Sequence, residues 1–126
     1  SSQEKKERVI FPEVFSKVDT MPEYPGGEKV FLKDVTKKVE YPGEAWEKGI
    51  NGKIYVAFVV DTEGKIGNTS IARGLDPLLD IEALQVINEL DKTWKPGIKD
   101  GKAVHVSITV LFDFKKDKTI DVSLAR

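Results

Sequence analysis

The chain has 126 residues, 40% of them hydrophobic and 33% charged, a balance typical of one globular domain rather than of a disordered segment. The net charge of −1 argues against a nucleic-acid surface, because domains that bind nucleic acid are usually strongly basic. The sequence contains no cysteine, which excludes disulfides, thiol nucleophiles and cysteine metal sites.

The chain opens on the polar run SSQEKKER, which lacks the apolar stretch of a signal peptide. The longest apolar run, residues 54–60, is far too short to span a membrane. Two origins therefore stay open: a cytosolic protein, or the soluble part of a protein whose targeting segment has been removed.

The first part of the chain is predicted to be mostly irregular, with one amphipathic helix. We expect residues 1–8 to form a solvated tail, and residues 9–19 to form at most a short edge strand because they contain a proline. In residues 28–40, apolar side chains recur at helical spacing with lysines between them. This helix should end near Tyr41, because the residue before a proline avoids helical angles. Residues 41–49 suggest a very short second helix, with a proline at its first position and a glycine just past its end.

A β-hairpin is the clearest predicted element. Residues 53–60 and 65–73 form its two strands, and DTEG at 61–64 forms the tight turn, with Gly64 available for positive φ. The first strand is apolar on both faces, which is typical of a central strand. The second is more polar, which is typical of a sheet edge.

The last third of the chain predicts a helix and then a long strand. Asp80 is expected to cap a helix over about residues 81–90, and a loop follows it. The run GKAVHVSITVLFDF at 101–114 then alternates apolar and polar side chains, with Leu111 as the exception, as a strand buried on one face does. In the tail, residues 115–126, apolar residues alternate briefly, so the tail is either one more short strand or disordered.

These elements predict an α+β fold with a three-stranded antiparallel sheet, ordered second-first-third, and two main helices packed on one face. The third strand then has one paired edge and one free edge. Between Val104 and Phe112 it contains no charge and no proline, the devices that usually protect an edge. Four candidates can cover this edge: the tail, the 9–19 segment, a second copy of the chain, or a foreign peptide that adds one more strand. The helices should cover the sheet face that holds Val56, Phe58, Val106 and Ile108.

The sequence offers no cluster of residues suited to catalysis. The single histidine, His105, has no carboxylates at metal-ligand spacing, and Ser70 and Ser107 sit inside predicted strands without an acid–base partner. Trp94 is expected to cover the core, and Trp46 either does the same or lies half-exposed for a partner. We therefore predict no enzyme, no catalytic residue, no metal site and no cofactor.

A set of short motifs gives the chain a family resemblance. They are YP at 41–42, GxxxVxFxV at 52–60, DTEGKI at 61–66, WKPG at 94–97, and the final strand. In this order and spacing, over residues 17–114, they resemble the C-terminal domain of the TonB energy-transducer family. The lead-in MPEYPGG at 21–27 looks like the Bacteroidetes-type branch. On this division, residues 1–16 are a tail or linker remnant with a possible short strand, and residues 115–126 are a C-terminal tail.

The resemblance implies a periplasmic domain, anchored to the inner membrane in the full-length protein, that transmits force derived from the proton gradient. Its implied partners are the TonB box peptide of outer-membrane transporters, which adds to the last strand, and an ExbB/ExbD-type motor complex. Cargo in the family includes iron chelates, vitamin B12 and glycans. The alternative is a stand-alone or sensor-appended periplasmic module that uses the same strand to form a homodimer or to bind cell wall. The residues predicted to bind the peptide are Val104, His105, Val106, Ser107, Ile108, Thr109, Val110, Leu111, Phe112, Tyr41 and Pro42.

Overall fold

The structure, a computed structural model, describes residues 12–126, so the solvated tail predicted for residues 1–8 lies outside it. Within the described residues the chain forms three helices and six strands. The helices are α1 (Glu28–Lys38), α2 (Gly43–Glu47) and α3 (Pro77–Asn88). The strands are β1 (Val14–Phe15), β2 (Gly52–Val60), β3 (Ile66–Arg73), β4 (Gly97–Lys99), β5 (Lys102–Phe114) and β6 (Ile120–Leu124).

The predicted α+β fold and strand order are confirmed, but the sheet is larger than the sequence indicated. The three predicted strands are β2, β3 and β5, and they lie in the order β3-β2-β5, with both neighbours antiparallel to β2. Within residues 12–126 the sheet has six strands rather than three, because β1, β4 and β6 all pair with β5. These additions are short strands of two, three and five residues, whose local sequence signal is weak.

The sheet buries one face beneath the helices, as the alternation predicted. Val56, Phe58, Val106 and Ile108 are all buried on this face. Phe31 and Val35 of α1, Ala83 and Val86 of α3, and Phe112 and Phe114 of β5 belong to the same core. The hairpin turn is closed by a hydrogen bond between the Gly64 amide and the Asp61 carbonyl, and Gly64 adopts the predicted positive φ of 84°.

The predicted start of α3 is wrong. The helix begins at Pro77 and not near residue 81, and its N-cap is Asp76, whose side chain accepts a hydrogen bond from the Leu78 amide at 2.9 Å. Proline at the first helical position already has the helical φ, so the helix starts there. Asp80 instead accepts a bond from the Leu75 amide at 3.0 Å and ties the preceding loop to the first turn.

Two smaller elements also differ from expectation. The loop predicted before the last strand contains β4, which returns into β5 through Asp100 and Gly101, both with positive φ as a tight hairpin turn requires. In the second short helix, the proline expected at the first helical position is the N-cap, Pro42, one residue earlier. Gly49 lies just past the end with a φ of 70°, as predicted.

Candidate functional site

The predicted free edge of β5 is largely covered within the chain, which corrects the sequence-based expectation. We call the side of β5 that faces away from β2 its outer edge. On this edge β1 runs parallel to β5, with Val14 opposite His105 and Phe15 opposite Val106. β6 runs antiparallel over the far end, from Leu124 opposite Val110 to Ile120 opposite Phe114.

The covering strands leave a short gap in the outer edge. Ser107 and Ile108 have no strand partner there among the described residues, and Thr109 accepts only one bond, from the Ala125 amide at 2.9 Å. Val104, the first predicted contact, pairs with Gly97 of β4. Of the nine predicted strand residues, Ser107 and Ile108 thus lack a strand partner on the outer edge within the described part of the chain, and His105, Val106 and Val110 to Phe112 have one.

β6 is attached by contacts of moderate strength. Ile120, Val122 and Leu124 are partly buried against the core, on the same face as the β5 residues they oppose. The chain turns between β5 and β6 at Asp117, where the Thr119 amide and hydroxyl donate hydrogen bonds to the carboxylate at 3.0 and 2.5 Å. These bonds hold the pKa of Asp117 below its ordinary value.

Two exposed ion pairs add to this attachment. Lys115 lies 2.5 Å from Asp121, and Arg126 pairs with Glu28 at the start of α1. Exposed pairs of this kind contribute little to stability. The strand is therefore held mainly by its ladder bonds and its three apolar side chains.

Tyr41 lies near the end of β5, and Pro42 follows it as the N-cap of α2. The Tyr41 ring packs edge-to-face on Phe114 at 5.3 Å between centroids and on Trp46 at 5.6 Å. Its hydroxyl donates to the Ile50 carbonyl at 2.5 Å, and burial raises the pKa of the phenol. Trp46 is partly buried, and Lys118 from the β5–β6 turn lies over its ring at 5.6 Å from the centroid. This group of aromatic side chains therefore contacts the turn that leads into β6, through Lys118.

The described residues hold no arrangement suited to metal binding. In this part of the chain, no three His, Asp or Glu side chains lie close enough to share an ion. His105 lies within β5 opposite Val14, as a strand residue. No described helix has the length and apolar character needed to cross a bilayer.

Comparison with known proteins identifies the family. A family model described as "Gram-negative bacterial TonB protein C-terminal" matches residues 37–115, which is more than half of the chain. The chain belongs to this family. TonB C-terminal domains are periplasmic in Gram-negative bacteria, and they serve transport rather than catalysis.

A solved structure is also similar. The NMR solution structure of Helicobacter pylori TonB-CTD shares 21% sequence identity with this TonB C-terminal domain at a TM-score of 0.48. The match covers 69% of this chain and 92% of the H. pylori chain. Among curated proteins, none is similar enough to match.

Sequence reasoning located the strand of this TonB C-terminal domain and named the tail and the 9–19 segment among four candidates to cover its edge, but it did not decide between the four. The pairing of Val14 and Phe15 with β5 has no local signal, because two residues are too few to show a period. The alternation of Ile120, Val122 and Leu124 was visible and was one of two open interpretations. Of the residues beneath the gap, Trp94 was expected only to cover the core, and Tyr24 stood unremarked in the lead-in at 21–27.

Proposed function

We propose that this chain is the peptide-binding end of a TonB-type energy transducer, and that it binds the TonB box of outer-membrane transporters by strand addition at the outer edge of β5. The observation that carries the proposal is the gap at Ser107 and Ile108, with β6, a strand of five residues, on one side of it. A peptide first pairs at the gap and then extends along β5 by displacing β6.

The register supports this exchange. β6 runs antiparallel to β5 and places apolar side chains opposite Val110, Phe112 and Phe114. A peptide with the same direction and alternation makes equivalent ladder bonds and covers the same core residues. β6 thus occupies the site as an internal substitute for the peptide.

Competition with β6 sets the affinity. A strand held by a short flexible turn has an effective concentration of about 1 mM. A peptide that only copied the contacts of β6 would therefore bind at about millimolar concentration. Micromolar binding needs contacts that improve on those of β6 by about 1,000-fold, or about 4 kcal/mol.

The path of force follows from the position of β1. If the N-terminal side of the chain is tethered to an inner-membrane motor of the ExbB/ExbD type, tension reaches β5 through Val14 and Phe15. The peptide pairs with the residues of β5 that come next, from Ser107 onward. Tether and peptide are then joined through one continuous strand, so several ladder bonds carry the load together.

A chemical-shift titration tests the proposal. Synthetic TonB box peptides should shift the amides of residues 107–114, and the amides of residues 120–124 should move toward random-coil values as β6 leaves. The amides of β3, at the other edge of the sheet, serve as the internal control. Unchanged β5 amides at millimolar peptide would contradict the proposal, and a concentration-dependent dimer indifferent to peptide would favour the homodimer alternative.

A further inference from the structure

A cavity of about 710 Å³ lies beneath the gap in the outer edge of β5. Its size falls within the range of about 300–1,000 Å³ that is typical of ligand pockets. Met21 and Glu28 belong to its lining, together with Ser107 and Thr109 of the strand itself. The apolar part of the wall includes Tyr24, Phe31, Trp94, Ile108 and Leu124.

The cavity marks a missing position in a row of side chains. The residues that oppose a β-strand residue lie on the same face of the sheet. Along the core-facing side of β5, Phe15 opposes Val106 and Leu124 opposes Val110. On the outer edge, opposite Ile108 and between these two, no strand residue is paired among residues 12–126.

Arg126, two residues after Leu124, does not fill this position. Continuing the β6 register by two residues past Leu124 brings Arg126 opposite Ile108. The guanidinium of Arg126 pairs with Glu28 at the start of α1. A long cation engaged at an exposed carboxylate leaves the apolar wall of the cavity uncovered.

The wall is aromatic, and one of its residues, Trp94, has a buried hydrogen-bond donor without a partner among the described residues. The rings of Tyr24, Phe31 and Trp94 contact each other edge-to-face, with centroids 5.1–5.3 Å apart. Trp94 is only 5% exposed, and its indole Nε1–H is a buried donor without an acceptor in the described part of the chain. Such donors are rare in folded proteins, because an unmade hydrogen bond in the interior is costly.

We propose that the cavity binds one aromatic side chain of the peptide that adds to β5, at the peptide position opposite Ile108. The inference rests on the proposed strand addition and names its specificity position. An aromatic ring fits the edge-to-face wall. A tyrosine in addition has a phenol oxygen that can accept the Trp94 indole hydrogen. This side chain supplies contacts that β6 does not make, and so lets a peptide outcompete it.

The test uses four octapeptides with the chain's own register. Each carries the sequence TIDVSLA of residues 119–125, followed by alanine, leucine, phenylalanine or tyrosine at the position opposite Ile108. We expect the phenylalanine and tyrosine peptides to bind the intact domain at least 10-fold more tightly than the alanine peptide, with leucine between them. In the NMR spectrum, the Trp94 indole proton should move downfield with tyrosine but not with phenylalanine, while the Trp46 indole stays unchanged.

Two variants of the domain distinguish side-chain binding in the cavity from main-chain pairing with β5. Ile108→Phe places a ring in the cavity from within, so it should reduce the preference for phenylalanine over alanine to less than 3-fold. Val59→Phe adds the same ring on β2, on the sheet face away from the helices, and should keep the full preference. Equal binding of all four peptides to the original domain would overturn the cavity inference and leave strand addition standing. If none of them shifts the amides of residues 107–112, both are overturned.

Discussion

Weakening β6 should strengthen peptide binding while it destabilises the domain. The double variant Val122→Ala, Leu124→Ala removes five carbon atoms from side chains that are partly buried against the core. A fully buried methylene contributes about 0.8 kcal/mol, so this loss at partial burial weakens the attachment of β6 by about 2 kcal/mol. Because the peptide binds only the form with β6 displaced, its dissociation constant should fall by about 30-fold.

Isothermal titration with one TonB box peptide measures this effect, and chemical denaturation measures the accompanying loss of stability. Leu84→Ala is the matched control, because Leu84 is a partly buried residue of α3 that packs on the same core away from β5. It should cost similar stability without changing the peptide affinity. If the double variant bound the peptide with unchanged or weaker affinity, β6 would not be the strand that the peptide replaces.

Further predictions concern the turns and the caps. Gly64→Ala should destabilise the domain much more than Gly101→Ala in denaturant melts. Both glycines have positive φ, so the backbone cost is similar. A Cβ at Gly64, however, would lie 1.9 Å from a carbonyl oxygen, whereas a Cβ at Gly101 would meet open space. Asp76→Ala should lower the free energy of unfolding by about 1 kcal/mol through loss of the α3 cap, and Asp76→Ser should recover most of it. Because the Thr119 hydrogen bonds lower the pKa of Asp117, the turn should be fully stabilised at neutral pH and lose this contribution as the pH falls below 3.8. Lower protection factors of the β6 amides at that pH, each calculated against the intrinsic exchange rate at the same pH, should report the loss, and Asp117→Asn should abolish this pH dependence.

Each of these expectations has a clear contradictory result. Equal melting midpoints for the two glycine variants would mean that the approach of the Trp94 carbonyl to Gly64 is relieved at little cost. A fully stable Asp76→Ala variant would show that Pro77 alone fixes the start of α3. If the β6 protection factors fell at low pH to the same extent in Asp117→Asn as in the original domain, a group other than Asp117 would cause the acid sensitivity.

Much of the functional strand could be predicted because its signal is local. The alternation of residues 104–114 fixes which side chains are buried, and the hairpin at residues 53–73 places β2 beside β3. The ordered motifs, from the YP pair at 41–42 to the WKPG run at 94–97, were enough to indicate the family that the comparison confirmed. Each of these features depends on neighbours within a few residues, so it can be read without coordinates.

The amino-acid sequence by itself thus determined the family, the α+β class, the order of the three main strands and the buried face of β5. Only the tertiary structure decided what lies along the outer edge of that strand. β1 is too short to show a period, and the alternation in β6 left two interpretations open. Both strands form because β5 presents unpaired main-chain groups and apolar side chains to them. The cavity beneath Ser107 and Ile108 depends on residues that are distant in the chain, such as Tyr24 and Trp94, whose meeting no local pattern records.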